Sequence, residues 1–143
     1  MYLISACLCG VNCKYNGNNN YNQYVAELVK SGKAIPLCAE QLGGLSTPRI
    51  PSEIKCLDDK RKVFDKNGKD VTAEFEAGAR EVLDFVKRMN IKKAILKGKS
   101  PSCGIGKIYD GTFNNKLVHG NGVLAQLLID NGIEVINSDD FLE

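Results

Sequence analysis

The sequence of 143 residues lacks the features that mark a membrane protein or a nucleic-acid-binding protein. It has no apolar stretch approaching the roughly 20 residues that span a bilayer. Its 19 Lys and Arg residues nearly balance its 17 Asp and Glu residues, which leaves a net charge of +2. So small a charge gives no electrostatic reason to expect nucleic acid as a partner. We therefore expect no membrane and no nucleic-acid partner, and the sequence leaves the oligomeric state open.

Two further absences concern the cysteines. No basic and apolar segment typical of a secretory signal precedes Cys7, so we expect a cytoplasmic protein. In that reducing compartment, six cysteines are better explained as ligands, catalysts or core residues than as disulfides. The chain also has no Cys-x-x-Cys pair, which weighs against a structural zinc site built from such pairs.

Short apolar runs alternate with amphipathic segments along the chain, and this alternation predicts an α/β fold. We predict a single domain over residues 1–143 with a three-layer, Rossmann-like fold, a mainly parallel sheet and helices on both faces. Irregular stretches are predicted at 39–51 and 97–119, and a small hairpin at 62–71 around Asn67-Gly68. The predicted strands lie near 2–5, 34–37, 92–96 and 133–136, and the predicted helices near 21–31, 72–88 and 123–129.

Three of the predicted strands end at, or shortly before, a cysteine: Cys7, Cys38 and Cys103. Any one of them alone is best interpreted as a small buried hydrophobic residue. Together they matter more, because ligands of open α/β sheets bind at the carboxyl ends of the strands. Three thiols converging there favour a soft metal centre, and in particular an iron–sulfur cluster with one iron left open.

Two charged residues lie in the loop that follows Cys38. Glu40 is two residues beyond that cysteine and is a candidate general acid or base, although a solvated loop carboxylate is an equal alternative. Arg49 lies between Pro48 and Pro51 on a stiff segment, where it could bind an anionic group or form an ion pair with Glu53.

The remaining cysteines and the histidine receive no direct role from their positions. Cys9 and Cys13 follow Cys7 closely, and we interpret them as loop residues near the site. Cys56 lies in a Lys- and Asp-rich segment and is interpreted as incidental. His119 is the single histidine of the chain, and single histidines are more often loop residues than ligands.

Three blocks of the sequence form a recognisable pattern. The blocks are Ser5-Ala6-Cys7-Leu8-Cys9-Gly10 with Tyr15-Asn16-Gly17, Cys38-Ala39-Glu40 with 43–49, and Ser100-Pro101-Ser102-Cys103-Gly104 with 109–113. Together they resemble the thiouracil desulfurases, a small bacterial family, and the resemblance extends over essentially the whole chain. The Ser-Pro-Ser-Cys-Gly block and the Gly-Leu-x-x-Pro-Arg block are the most specific parts of it.

The resemblance implies a [4Fe-4S] cluster held by three cysteines that match Cys7, Cys38 and Cys103, with one iron left open. An iron open to small ligands is also open to oxygen, so we expect the cluster to be lost in aerobic preparations. The sequence departs from the family pattern at two points. Ala39 replaces a usual proline and loosens the backbone before Glu40, whereas Cys9 replaces a usual leucine and is an alternative ligand.

The resemblance also implies an enzyme that removes sulfur from thiolated uracil. The catalytic glutamate and serine of the family fall on Glu40 and Ser100. We add Arg49, Ser102 and Asp110 as candidate substrate-binding residues in the same loops. The expected reaction is a non-redox desulfuration of a small thiolated base that releases sulfide, with Glu40 moving protons.

Two other functions remain open from the residues. One is a binding module that carries a cluster or zinc without catalysis. The other is a sulfur carrier in which Cys103 is a nucleophile activated by Lys97 or Lys99. The natural substrate, whether free base, nucleoside or RNA-borne base, and the ring position attacked are also left open.

Overall fold

A computed structural model of the protein describes residues 1–141. Within these residues the strands are β1 (Tyr2–Ser5), β2 (Ala34–Leu37), β3 (Ser52–Leu57), β4 (Lys60–Asp65), β5 (Lys93–Leu96), β6 (Lys107–Tyr109), β7 (Leu117–His119) and β8 (Glu134–Asn137). Four of them form one sheet in the order β2, β1, β5, β8, and its neighbouring strands are all parallel, as predicted. This order places the strand that precedes Cys7 between the strands that precede Cys38 and Cys103.

Helices cover both faces of the parallel sheet, which confirms the three-layer prediction. Leu3 of β1 is buried with Val82 and Leu124, whereas the next residue, Ile4, is buried with Val25. Successive strand side chains point to opposite faces, so the helices of Val82 and Leu124 cover one face and the helix of Val25 covers the other. No helix within residues 1–141 has the length and apolarity needed to cross a bilayer. The helices are α1 (Gln23–Lys30), α2 (Ala39–Leu42), α3 (Thr72–Arg88) and α4 (Val123–Asp130).

The small hairpin predicted at 62–71 is present as one antiparallel bridge between Phe64 and Asp70, and the N–H of Val71 donates to the Val63 carbonyl at 2.9 Å. The main partner of β4 is β3, which precedes it and which the sequence analysis did not predict. The turn between β3 and β4 consists of Asp58 and Asp59, whose φ angles of 49° and 63° are both left-handed. Tight hairpin turns need such angles, and aspartate adopts them more readily than most residues. The Asn67-Gly68 turn exists, but it leads into α3 and not into a second full strand.

Both stretches predicted to be irregular contain short elements. The first contains α2, a single helical turn that begins directly after Cys38. The second contains the antiparallel hairpin of β6 and β7. These elements have only three or four residues each, which is too short to show a hydrophobic period.

Helix α2 packs directly on α3 through two glycines. A Cβ atom added to Gly78 would lie 1.9 Å from the carbonyl oxygen of Ala39, and one added to Gly43 would lie 2.0 Å from the carbonyl oxygen of Glu74. Neither position has space for a side chain, so the two backbones are in contact. This contact sets the height of α2, and with it the positions of Cys38 and Glu40, above the sheet.

Candidate metal centre and active site

A cavity of about 580 Å³ opens at the carboxyl ends of β1, β2 and β5. Its wall includes the ends of these strands, the first turn of α2, and the loops at 13–20, 49–53 and 97–103. Ligands bind at this edge in open parallel sheets, so the cavity lies where the sequence predicted a site.

All three predicted thiols line this cavity. Cys7 lies in a turn of 3-10 helix, Ala6–Cys9, which follows β1 directly. Cys38 is the residue between β2 and α2. Cys103 lies in the turn that follows β5, and its sulfur contacts the hydroxyl of Ser5. Three segments far apart in sequence therefore bring their thiols to one cavity.

Cys13 is a fourth thiol at this site, whereas the sequence analysis interpreted it only as a loop residue near the site. It lines the cavity and is only 2% exposed. The Cys38 thiol donates to the Cys13 carbonyl at 3.9 Å. Interaction with the Cys13 thiol lowers the pKa of Cys7 to about 7 and that of Cys38 to about 6, against the opposing effect of burial. The same interactions raise the pKa of Cys13 above its usual range. The signal that could have found it is the glycine turn at Gly10, which folds Cys13 back toward Cys7.

Cys7 has one more polar partner, Asn20. The side-chain amide of Asn20 donates to the Cys7 sulfur at 3.4 Å, and its backbone N–H donates to the Cys7 carbonyl at 3.0 Å. Lys97 also lowers the pKa of Cys7 through its positive charge. This environment favours a thiolate, which is the form of cysteine that binds metals.

The turn that carries Cys103 is held by hydrogen bonds at both ends. The Ser100 hydroxyl oxygen accepts the backbone N–H groups of Ser102 and Cys103 at 3.1 and 3.0 Å. The first N–H groups of α4 donate to the carbonyls of Pro101 and Ser102. Burial raises the pKa of Cys103 to about 12, which the contact with the Ser5 hydroxyl offsets only in part. Without a bound cation, this thiol is neutral near pH 7.

The side chain of Ser102 is different from that of Ser100. Ser102 is 1% exposed and lines the cavity, and within residues 1–141 its hydroxyl is the one fully buried side-chain polar atom without a hydrogen-bond partner. An unpaired buried hydroxyl costs about 1–3 kcal/mol. A molecule in the cavity that bonds to this hydroxyl would remove that cost.

Glu40 lies in the first turn of α2 and forms an ion pair with Arg49. Both the Nε and the Nη2 atoms of Arg49 reach the same carboxylate oxygen, Oε2, at 2.7 and 2.6 Å. No residue within 1–141 donates to the other oxygen, Oε1, so it remains for a water molecule or a substrate. Burial raises the pKa of Glu40 above its usual range, although the Arg49 guanidinium opposes the shift.

Arg49 therefore pairs with Glu40 and not with Glu53, which corrects one sequence prediction. Its remaining N–H groups donate to the carbonyls of Cys13 and Ser46 and to the Thr47 hydroxyl. Four of the five N–H groups of the guanidinium therefore donate hydrogen bonds within the protein, and Nη2 also lies within ion-pair distance of Oε2. The substrate-binding role predicted for Arg49 stays a prediction, whereas its contacts support a role in positioning Glu40.

The other predicted residues have different positions. Asp110 lies outside the cavity lining, and its carboxylate accepts the Thr112 hydroxyl and backbone N–H, which lower its pKa. No contact supports the substrate-binding role predicted for it. Cys9 donates to the Ala6 carbonyl at 3.3 Å and does not line the cavity. Cys56 is exposed on β3, as expected for an incidental cysteine.

The donor set fits an iron–sulfur cluster, because such clusters are held by cysteine thiolates. Cys7, Cys38 and Cys103 come from separate segments and line one cavity. Each thiolate of a cluster binds a different iron, so ligands from several segments can share it.

Fold and site together define an α/β protein with a thiol-lined cavity at the edge of a parallel sheet. Comparison with known proteins is consistent with this description. The chain belongs to the 2-thiouracil desulfurase family, whose model matches residues 2–140. This confirms the family resemblance.

Two relatives extend over nearly the whole chain. An uncharacterized protein of Bacillus subtilis (strain 168), YbbK, is 42% identical over 146 aligned residues, which cover 98% of this chain and 97% of that protein. A solved structure described as the [4Fe-4S]-dependent thiouracil desulfidase TudS is 37% identical, with a TM-score of 0.89 over 98% of this chain and 91% of that one. The same fold at this identity confirms the α/β assignment.

Proposed function

We propose that this protein is an iron–sulfur-dependent desulfurase that converts a thiolated uracil, or a related thiolated base, and water into the oxygenated base and sulfide. The observation that carries the proposal is the meeting of several thiols with the Glu40–Arg49 pair in one cavity. Membership of the 2-thiouracil desulfurase family supports the same reaction.

The ligands we propose for a [4Fe-4S] cluster are Cys7, Cys38 and Cys103. When bound through three thiolates, such a cluster leaves one iron without a protein ligand, and this iron is a Lewis acid for a thiocarbonyl sulfur. Cys13 is the alternative to Cys7, because its thiol lines the same cavity. Asn20 would donate a hydrogen bond to the bound Cys7 sulfur.

Glu40 is the group we propose for proton transfer. Its free oxygen, Oε1, can accept a proton from an attacking water molecule and later return it to the ring or to the departing sulfide. A raised pKa suits this task, because a carboxylate of ordinary acidity is a weak base near neutral pH. Arg49 fixes the carboxylate through Oε2 and keeps it from rotating.

Ser100 and Ser102 are the hydroxyl groups we propose for the substrate. The Ser100 oxygen already accepts two N–H groups, so its own proton is free to be donated, and the two accepted bonds polarise it. The Ser102 hydroxyl has no partner in the protein and can bond to a base in the cavity. Either hydroxyl could stabilise negative charge that develops on the ring.

The charge of the cavity wall favours an anionic molecule. Glu40 is already paired with Arg49, and beside it the wall carries one further acidic residue, Glu53. Against these stand four lysines: Lys14, Lys66, Lys97 and Lys99. Sulfide leaves largely as an anion, and a phosphorylated form of the substrate would also be attracted.

The rival functions have less support. A sulfur carrier needs a nucleophilic thiolate at Cys103, but burial raises the pKa of that thiol to about 12. The amine of Lys97, which was expected to activate it, donates to the Gly98 carbonyl. A zinc module without catalysis has no support from the family match, which is to the 2-thiouracil desulfurases.

The test is anaerobic purification with quantification of iron and sulfide, followed by a thiouracil assay on Glu40→Gln. We expect this variant to keep the cluster and to lose about 10²- to 10⁴-fold in turnover, which is the usual contribution of a general acid or base. Glutamine keeps the shape and the bond from Arg49 but cannot transfer a proton. Exposed Glu81→Ala, on α3, is the control.

Thiouracil, its nucleoside and its 5′-monophosphate should be compared as substrates in the same assay. A wild-type protein that holds iron and sulfide but releases sulfide from none of them would contradict the proposed function. Turnover of Glu40→Gln at the wild-type rate would move the proton transfer to another group.

A further inference from the structure

The segment between β6 and β7, residues 110–116, lies against the cavity, and we call it the recognition loop. Phe113 and Asn115 of this loop line the cavity, and so does Tyr109, the residue that precedes the loop. Neither the cluster ligands nor the proton-transfer group lie in this loop. It has therefore no part in the proposed chemistry, although it forms one wall of the space in which the substrate must bind.

Glu53 of β3 holds the recognition loop in place. One of its carboxylate oxygens, Oε1, accepts the backbone N–H of Gly111 at 3.0 Å and that of Phe113 at 3.1 Å. Hydrogen bonds of this kind, from neutral donors to a carboxylate, are stronger than those between neutral groups. Gly111 lies so close to β3 that an added Cβ atom would come within 2.8 Å of the Ile54 carbonyl oxygen.

The loop is held in a strained backbone conformation. Phe113 and Asn115 have φ angles of 59° and 58°, in the left-handed region. Asparagine tolerates this region, but for a bulky residue such as phenylalanine it is a true outlier. Strain of this kind persists only where the surroundings enforce it, and it concentrates at binding and catalytic sites. In this loop, the carboxylate of Glu53 accepts a hydrogen bond from the backbone N–H of the strained residue, Phe113.

We propose that Phe113 is a specificity-determining residue whose ring packs against the pyrimidine ring of the substrate, and that Glu53 is the residue that positions it. This inference rests on the proposed function and names a part of the same site. Aromatic side chains stack on bases of any sequence, because every base offers a π-face. Among the described residues of the cavity wall, Phe113 is the one aromatic side chain without a hydroxyl, so its whole ring is available for such a contact.

The first experiment measures KM and kcat for thiouracil on the cluster-loaded enzyme. Stacking on one aromatic residue is worth about 5- to 150-fold in binding, so we expect Phe113→Ala to raise KM within that range and to change kcat by less than about threefold. Phe113→Tyr should restore the wild-type KM. Leu117→Ala, an apolar truncation on β7 of the same hairpin outside the cavity lining, is the matched control.

The role of Glu53 is tested by two variants. Glu53→Ala removes the acceptor of both N–H groups and should raise KM as much as Phe113→Ala does. Glu53→Gln keeps a carbonyl acceptor and should remain within about threefold of the wild type. Because the two residues act through one loop, the double variant with both alanines should be no worse than either single variant.

A second readout does not depend on turnover. Uracil has the same ring but no thiocarbonyl, so its binding to the protein as purified can be measured by saturation-transfer NMR. Phe113→Ala and Glu53→Ala should weaken this binding by the same factor by which they raise KM. If the wild type desulfurates thiouracil and these variants leave KM and uracil binding unchanged, the inference is wrong and the proposed function stands. If the wild type binds uracil through Phe113 but no thiobase is desulfurated, the proposed function fails and the inference about the ring survives.

Discussion

The substitution Gly78→Ala on α3 should disturb the site indirectly, because α3 packs against α2 and α2 carries Glu40. In an ordinary helix interior, Gly→Ala stabilises by about 1 kcal/mol, because alanine has the higher helix propensity. In this chain the new Cβ atom would lie 1.9 Å from the carbonyl oxygen of Ala39, far inside contact distance. That carbonyl already accepts the N–H of Gly43, so it cannot turn away without losing a hydrogen bond.

The expected cost follows from these two opposing effects. Overpacking a well-packed core costs about 1–3 kcal/mol, and the upper end applies here because the obstacle is backbone and not a flexible side chain. Subtracting the gain in helix propensity leaves a net loss of about 1–2 kcal/mol. For a protein of this size, that corresponds to a fall in Tm of roughly 2–8 °C.

Urea unfolding of the cluster-free protein, followed by circular dichroism, measures this loss directly. Ala77→Gly, at the neighbouring position of α3, is the matched control, because it reports the propensity difference without the clash. Relief of the clash would move α2 away from α3, and a displacement of 1 Å in a catalytic group can cost about 10²-fold in rate. Desulfuration should therefore fall although Gly78 touches no part of the cavity. A rise in the urea midpoint of Gly78→Ala would refute the close contact between the two helices.

Three further predictions concern the cavity itself. Replacement of Cys7, Cys38 or Cys103 by Ala should abolish the cluster, whereas Cys56→Ala should retain it. Iron counts and visible absorbance after anaerobic purification test this, and a full cluster in Cys103→Ala would overturn the ligand assignment. Protein purified in air should lack the visible absorbance of the cluster and regain it on anaerobic reconstitution with iron and sulfide. Arg49→Ala should cost about 3–5 kcal/mol in urea unfolding, as does removal of one partner of a buried ion pair, and a loss below 1 kcal/mol would show that Glu40 does not depend on it.

The parts of the fold that could be predicted are those with a hydrophobic period. Strands buried on both faces form continuous apolar runs, so the predicted and observed bounds of β1 and β2 agree. The 17 residues of α3 show the helical period clearly enough to be found from the sequence. By contrast, β7 is exposed along its whole length and has three residues, so no pattern could indicate it. Whether residues 1–143 form a single domain stays a prediction.

The site was predictable where it depends on strand ends and not where it depends on loops. Cys7 and Cys38 follow buried strands directly, and the sheet then brings them together. Cys13 reaches the same place through a loop whose path no periodicity describes. The ion pair predicted between Arg49 and Glu53 was wrong for the same reason. Two prolines indicate a stiff segment, but they do not indicate the direction in which it points.

The Arg49 guanidinium explains how a site assembled from separate loops keeps its geometry. Its N–H groups donate to the carbonyl of Cys13, the carboxylate of Glu40 and the turn at 46–47, and so join three segments that no strand pairing connects. A planar, permanently charged group with fixed donors suits this task better than lysine, which offers three donors from one point. These contacts therefore set the position of the Glu40 carboxylate relative to the Cys13 segment in the cavity wall.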